Sequence, residues 1–384
     1  MTSPAITMRS WTSPLILVYA IFGAFWGVLG VAFAEFVAAR GLTYSSVGTQ
    51  LAVLSTVAVT MMLFVAQRLE PLPRRWSVGG AIAVNGLGVA LLVVAPTWAL
   101  LVAFAVTGIG TGLVDVFVNA AGHEAEQGSG TPVLQRLHAS YSAGAGMGAL
   151  VTGVALERGV TFETALLVTA ALQVLAGVHA WYRIHELRAE VRRRRTGVSL
   201  SAFATAPMLF VPALVLAAAY FVEGSIDVWG VLYLREELGA SPQIGSYGLA
   251  AFSFAMAGGR LFAARVLFRF GPARTLVVSG LGSMAAGASA LLVPSPLAAT
   301  GAFLLLGFCM AAASPAAIGM AGRAGIDIGV AIAAISTIGY TGFIVGPPVL
   351  GALADLAGIR ATMATVLAAT VGIAVAGALA PRRD

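Results

Sequence analysis

Runs of about twenty apolar residues recur along the whole chain, and this recurrence limits what it can fold into more than any motif does. A helix of that length crosses about 30 Å of hydrocarbon. Twelve such segments can be marked: 13–39, 45–67, 76–95, 97–122, 132–157, 163–184, 206–233, 242–266, 272–294, 296–321, 327–353 and 359–380. With 59% hydrophobic and 10% charged residues, the composition lies far outside the range of water-soluble domains. The pattern predicts an all-α membrane protein of twelve transmembrane helices. The first segment carries Trp26 and Glu35, is too long for the apolar core of a cleavable signal, and leads straight into further spans. It is therefore read as the first helix.

The charges follow the same plan. Every one of the 22 basic residues is arginine. With both termini cytoplasmic, eighteen of them fall in inward-facing loops and flanks, leaving only Arg40, Arg158, Arg235 and Arg360 outside. That asymmetry is the positive-inside pattern and predicts the orientation. The Arg192–Arg195 run is accordingly read as an anchor at anionic headgroups, not a nucleic-acid patch. A polar linker, 185–205, separates an N-terminal six-helix bundle, 1–184, from a C-terminal one, 206–384. The single cysteine, Cys309, leaves no intramolecular disulfide and no cysteine-based metal site.

A shift of 198 residues superposes structure-setting positions of the two halves. Gly41 falls on Gly239, Pro96 on Pro294, and Gly144, Gly148 and Gly153 on Gly342, Gly346 and Gly351. Six plus six helices in parallel repeat predict two bundles related by a pseudo-two-fold axis along the membrane normal. Gly144-x3-Gly148 and Gly342-x3-Gly346 are spaced for close helix approach, and Pro347–Pro348 is expected to kink the eleventh helix.

Four stretches make the chain resemble a known family. GGRLFAARVLFRFGPAR, 258–274, resembles the loop motif of the major facilitator superfamily, and GYTGFIVGPPVLGALAD, 339–355, its Gly-Pro motif. VWGVLYLREELGASP, 228–242, with LHASYSAGAGMGAL, 137–150, is similar to a bacterial branch related to fucose permeases. The loop motif departs from the family between the second and third helices. There Glu70 stands for its Asp and Pro73 for its Gly; in the second copy Phe268 replaces the Asp while Arg269, Gly271 and Arg274 fit. Glu70 is left to pair with a neighbouring arginine. The resemblance implies a bacterial inner-membrane carrier whose first, fourth, seventh and tenth helices line a central cavity.

Polarity hidden in apolar segments marks the candidate residues. Glu223 and Asp227 are the only ionisable side chains between Ala206 and Leu234, and four residues' spacing puts them on one helix face. A charge at the centre of a span costs roughly 2.5–3.5 kcal/mol, so such residues are kept for a reason. The reason is either a hydrogen bond or ion pair between helices or a carboxyl that gains and loses a proton during transport. No arginine lies centrally in any span except Arg260 at its margin, so a permanent partner for the pair is not evident; Arg260 is read as snorkelling to headgroups. Asp115 is the third proton-coupling candidate, four residues from Asn119 on a stripe shared with Gly108 and Gly112. The branch resemblance, which implies an acid on the fourth helix, supports it, and a packing bond toward His138 is its alternative. Tyr19, Trp26, Asn119, Tyr141, Tyr220, Ser314 and Tyr340 are candidate substrate contacts, and Glu35, Gln50, Asn85 and Gln173 are further buried-looking polar groups. Glu70, Arg269, Gly271, Arg274, Gly148, Gly346 and Pro347 are expected to serve gating or structure. His123, Glu124 and Glu126 are read as a solvated loop rather than a metal site.

The reading is a secondary transporter, not an enzyme. Neither a Walker sequence, a nucleophile–base pair nor metal-spaced ligands occur in the chain. Expected partners are a small polar, sugar-like solute, protons and the bilayer, with no cofactor beyond the proton gradient and no nucleic acid. A single chain holds both halves, so a monomer is expected. Proton-antiport efflux of a lipophilic or cationic compound is the alternative.

Overall fold

The computed structural model describes residues 4–184 and 201–380. The basic run Arg192–Arg195, Arg188, Arg382, Arg383 and the linker up to residue 200 lie outside the described residues. Among those described there is no strand. Eleven helices are long and apolar enough to cross a membrane, and one of them is two. Pro242–Leu292 has 51 residues, roughly 76 Å of straight helix at 1.5 Å per residue, more than twice the hydrocarbon thickness. It is broken at Gly271, whose φ of 73° and ψ of 163° leave the helical region on the side that favours glycine. Pro272 follows and starts the next helix. The twelve helices are α1 Pro4–Arg40, α2 Tyr44–Leu69, α3 Arg74–Val94, α4 Thr97–Ser129, α5 Val133–Glu157 and α6 Phe162–Arg183. They continue with α7 Pro207–Gly230, α8 242–270, α9 272–292, α10 Pro296–Ala321, α11 Ile328–Ala357 and α12 Ile359–Leu379. The number of spans is the expected one.

The end of the fourth helix moves from its expected place. The fourth helix runs to Ser129, so His123, Glu124 and Glu126 are helical rather than in a loop. The cause is visible: Glu124 is clamped by Arg74 of α3, whose Nη2 lies 2.5 Å and Nε 3.1 Å from the carboxylate. The Glu126 carboxylate in turn accepts from the Leu134 N–H at 3.0 Å, tying α4 to the start of α5. Glu70, by contrast, is exposed, and the buried arginine of its turn belongs to Glu124. In α11 the helical hydrogen bonding is interrupted at Tyr340, and the helix runs on through Pro347–Pro348.

The chain clusters into two compact units. The first comprises Met1–Gly41 and Gln50–Arg193, the second Leu42–Thr49 and Arg194–Asp384. Within the first, α1 and α5 meet along a seam of four glycines. A Cβ on Gly23 or Gly27 would lie 2.0 Å from the carbonyl oxygen of Tyr141 or Ala145. From the facing side, a Cβ on Gly144 or Gly148 would lie 2.0 Å or 2.4 Å from that of Ala20 or Ala24. Lipid tails are as apolar as leucine, so helices in a bilayer gain from close backbone approach rather than from hydrophobic transfer. A second fastening is polar: Gln173 of α6 donates to Asn85 of α3 at 2.8 Å, and Asn85 donates to Thr107 O and Thr111 Oγ1 of α4 at 3.1 and 3.0 Å. Asn85 and Gln173 are fully buried, so this network holds helices together rather than meeting solute. Gly108 and Gly112 receive the backbone of Leu54 and Ala58 of α2. That stripe is therefore filled by a neighbouring helix.

The second unit repeats the scheme with four glycines, Gly224 of α7 and Gly339, Gly342 and Gly346 of α11, three of them against side chains rather than backbone. A Cβ on Gly342 of α11 would stand 2.2 Å from Ala217 O of α7, and Gly346 faces the Phe221 ring. Gly41 and Gly239, superposed by the 198-residue shift, are both left-handed, at φ 59° and 66°. The segment Leu42–Thr49 is held in this unit by Asp355 at the end of α11. Its carboxylate accepts from the N–H groups of Tyr44 (3.1 Å) and Ser45 (2.8 Å) and from the Ser45 hydroxyl (2.5 Å), satisfying donors that open the first turn of α2. The Tyr44 hydroxyl donates to Glu236. Two of the arginines outside the positive-inside pattern have a local explanation. Arg40 donates to Leu92 O, Val93 O and Ala95 O at the end of α3, and Arg360 to Leu291 O at the end of α9, where a helix presents carbonyls and a partial negative charge.

The glycine seam makes a direct prediction. Gly144→Ala, forcing a methyl onto the Ala20 carbonyl, should destabilise the protein by about 1–3 kcal/mol. Gly301→Ala in α10, where an added Cβ meets nothing within 4 Å, should be neutral to within about 0.5 kcal/mol. Thermal unfolding of the purified variants in detergent compares the two; equal melting temperatures would contradict the seam.

Candidate functional site

The polar groups of the first unit converge where α1, α4 and α5 meet. Tyr19 of α1, 3% exposed, donates its hydroxyl to Asp115 Oδ1 of α4 at 2.8 Å. Asn119, one turn along α4, donates to the Tyr19 oxygen at 3.2 Å and to its own helix at Asp115 O, 2.7 Å. The spacing of four puts Asp115 and Asn119 on one face, so a single hydroxyl bridges both. The ring of Tyr19 is enclosed by His138 (5.7 Å, edge-on), Tyr141 (5.4 Å) and Phe22 (6.0 Å). Four sequence-predicted residues, Tyr19, Asp115, Asn119 and Tyr141, thus form one cluster. Its carboxylate is held by a phenol and an amide, both neutral donors. His138 meets the ring of Tyr19.

In the second unit the polarity lies where α7 meets α8. Arg260 Nη2 is 2.7 Å from Glu223 Oε1, and each side chain is only 18% exposed. This corrects two expectations. Glu223 has a cationic partner, and Arg260 turns inward to it instead of snorkelling to headgroups. The physical reason is the length of α8: the helix continues to Phe270, so Arg260 stands ten residues, roughly 15 Å, before its end. From that depth a carboxylate across the helix interface is the nearest compensation for a buried guanidinium. Asp227, one turn beyond Glu223, lies in a widened π turn, Ile226–Gly230, an irregularity that concentrates at functional positions. One turn on the other side, Tyr220 stacks against Tyr340 (5.5 Å, 22°) and Phe343 (4.8 Å, 17°) of α11. Glu223, Asp227, Tyr220 and Tyr340 are thus placed together, with Arg260 and Phe343 as additions that sequence reasoning did not assign to the site.

Other candidates fall elsewhere. Trp26 packs on Phe25 at 5.1 Å, two turns along α1 from Tyr19. Ser314 is half-buried just past a break in α10 at Ala311–Ala312. Glu70 and Arg274 are exposed, and Arg269 lies over the Phe270 ring at 5.5 Å. Gly148, Gly346 and Pro347 lie on helices that pack closely: Gly148 on α1, Gly346 on α7, and the Pro347 carbonyl against Gly48.

The fourth and seventh helices of this twelve-helix chain thus carry half-buried carboxylates. The profile of the Major Facilitator Superfamily matches residues 15–325 and 213–384. The chain belongs to the Major Facilitator Superfamily. An uncharacterised MFS-type transporter of Yersinia pestis is 28% identical over 301 residues, 77% of each chain. Among solved structures, the nucleoside transporter NupG superposes with a TM-score of 0.76 over 97% of this chain and 100% of its own, at 14% identity. The transporter FucP in its outward conformation superposes at 0.63 over 98% and 100%, also at 14% identity. At such identities the likeness is one of fold, and it is the major facilitator fold.

The ion pair predicts a coupling. Removing one partner of a buried pair strands the other charge, so Arg260→Met or Glu223→Gln alone should cost roughly 2–4 kcal/mol, at or below the range for wholly buried pairs. The double variant should be less destabilised than the sum of the singles by at least about 1 kcal/mol. Thermal unfolding of the four proteins measures this, and simple additivity would show that the contact carries no energy.

Proposed function

We propose that the chain is a proton-coupled secondary transporter that takes up a small polar, sugar-like solute across the bacterial cytoplasmic membrane by alternating access. The observation that carries this reading is the presence of half-buried carboxyl groups within spans. Asp115 accepts from the neutral donors of Tyr19 and Asn119, and Glu223 pairs with Arg260 one helical turn from Asp227. In the second unit two carboxylates stand against one guanidinium, a group whose charge balance improves when a proton is taken up. In this reading a proton on Glu223 neutralises it and frees Arg260 to move to Asp227 or to solute, and losing the proton restores the pair. Tyr19, Asn119 and Tyr141 in one unit, and Tyr220 and Tyr340 in the other, supply hydroxyl, amide and ring faces of the kind a sugar-like solute meets. Trp26 and Ser314 are proposed as outlying contacts. The proton gradient replaces any cofactor, and the carrier works as a monomer. The same excess of carboxylates also suits a cationic compound expelled in exchange for protons, the second reading.

A thermal-shift screen against sugars, sugar acids and drug-like cations separates the two readings and supplies a substrate. With it, Glu223→Gln should still bind or exchange solute, while pH-driven accumulation falls at least about tenfold, since a carrier that cannot cycle its charge cannot use the gradient. Near wild-type accumulation at every pH would remove Glu223 from coupling, and the same assay of Asp115→Asn and Asp227→Asn then decides between the other two carboxylates.

A further inference from the structure

The turn from α8 into α9 carries charge that the transport reading leaves unused. Arg260 of α8 turns inward to Glu223. Arg265 follows five residues later, about 140° further round a helix of 3.6 residues per turn, and is exposed. Arg269, one turn on along the same side, is exposed as well. Beyond the break at Gly271, Arg274 stands exposed in the first turn of α9. The surface that leads to these arginines is apolar. Leu261 and Phe262 are exposed about one turn before Arg265, and Phe268 and Phe270 are exposed at the end of α8, Phe268 to 95%. Among the described residues, no hydrogen bond or ion pair engages Arg265, Arg269 or Arg274. Arg269 lies over the Phe270 ring, a contact that brings it no acceptor oxygen.

We propose that this end of α8 binds an anionic phospholipid, its phosphate at Arg265 and Arg269 and an acyl chain along Leu261 and Phe262. A guanidinium presents a planar fork of donors that matches phosphate oxygens, and Arg274 adds a third positive charge across the turn. The long arginine stems run along apolar surface while their heads reach the headgroup level. Exposed rings and aliphatic side chains gathered beside them are the kind of patch that meets a membrane. No carboxylate competes from either helix, since α8 and α9 contain neither aspartate nor glutamate. The repeat supplies a control on whether the fold itself demands such a turn. Under the 198-residue shift Arg265, Phe268 and Gly322 fall on Gln67, Glu70 and Glu124. The first half thus keeps two carboxylates here and pairs its buried arginine, Arg74, with Glu124. The second half has lost both carboxylates and gained an outward arginine. The basic, aromatic turn is an addition to the second half, not a requirement of the bundle.

The test is thermal unfolding of the full chain in detergent micelles doped with phosphatidylglycerol or phosphatidylcholine, or supplied with inorganic phosphate. Phosphatidylglycerol is expected to raise the melting temperature by several degrees, with little effect from the other two, and high salt should reduce the shift. Measured from its own lipid-free value, Arg265→Gln/Arg269→Gln should lose at least half of the shift, whereas Arg136→Gln, exposed on α5, keeps it. If the double variant does not fold, Arg269→Gln alone takes its place and must reduce the shift. Equal shifts from the two lipids, or a shift that free phosphate reproduces or high salt leaves unchanged, would overturn the proposal. So would an equal loss from Arg136→Gln, a double variant that keeps more than half of the response, or, in its place, an Arg269→Gln response equal to that of the unaltered chain.

Discussion

The pairing of Glu223 with Arg260 is the interaction around which the rest of the second unit makes sense. Two opposite charges 2.7 Å apart and mostly withdrawn from water attract strongly, yet the desolvation of both offsets much of that gain. An apolar pair of the same size would fold as well or better. Retention of the ions therefore points to a use for them, and the neighbouring Asp227 makes the use concrete: one guanidinium has two carboxylates within a helical turn of each other. In the proposed mechanism that choice of partners is what a proton on Glu223 would decide. The first unit solves a related problem differently, with Asp115 held by Tyr19 and Asn119 and no arginine in the cluster.

Around these costly groups the bundle economises on side chains. Four glycines let α1 and α5 touch backbone to backbone, and α1 is also the helix that carries Tyr19 to Asp115. The seam thus sets Tyr19 against Tyr141 of α5, while the Tyr19 hydroxyl reaches across to Asp115 of α4. In the second unit α7 carries Glu223, and α11 meets it through Gly342 while presenting Tyr340 and Phe343 to Tyr220. In both units, close packing of the first helix of the half on the fifth positions the polar site.

Much of this was legible in the sequence, for a physical reason. A bilayer punishes polarity, so twelve apolar runs stood out and Asp115, Glu223 and Asp227 stood out against them. Gly144 and Gly148 were readable as a packing motif, but their partners Gly23 and Gly27 were not singled out, because one helix's sequence does not say which neighbour it meets. The place of Arg260 is hidden in the sequence for a related reason. An arginine thirty-seven residues from Glu223 in sequence looks peripheral when its helix is ended at 266, and central when the helix runs on to Gly271. Glu124 is hidden in the same way, since polar residues at the end of an apolar run resemble a loop until Arg74 is placed beside them. Asp355 and Glu236 near Tyr44 carried no local signal at all; only the fold brings residues more than 190 positions apart into contact.

The central claim is that protons move with the solute. The most direct measurement is the pH inside sealed proteoliposomes, followed by a trapped dye while a solute identified by screening is added outside without any imposed gradient. The account predicts acidification of the lumen that requires both the solute and the protein and stops when the solute gradient is spent. Solute entry at the same rate with no change of internal pH would contradict it, and alkalinisation would assign the chain to exchange of solute for protons instead.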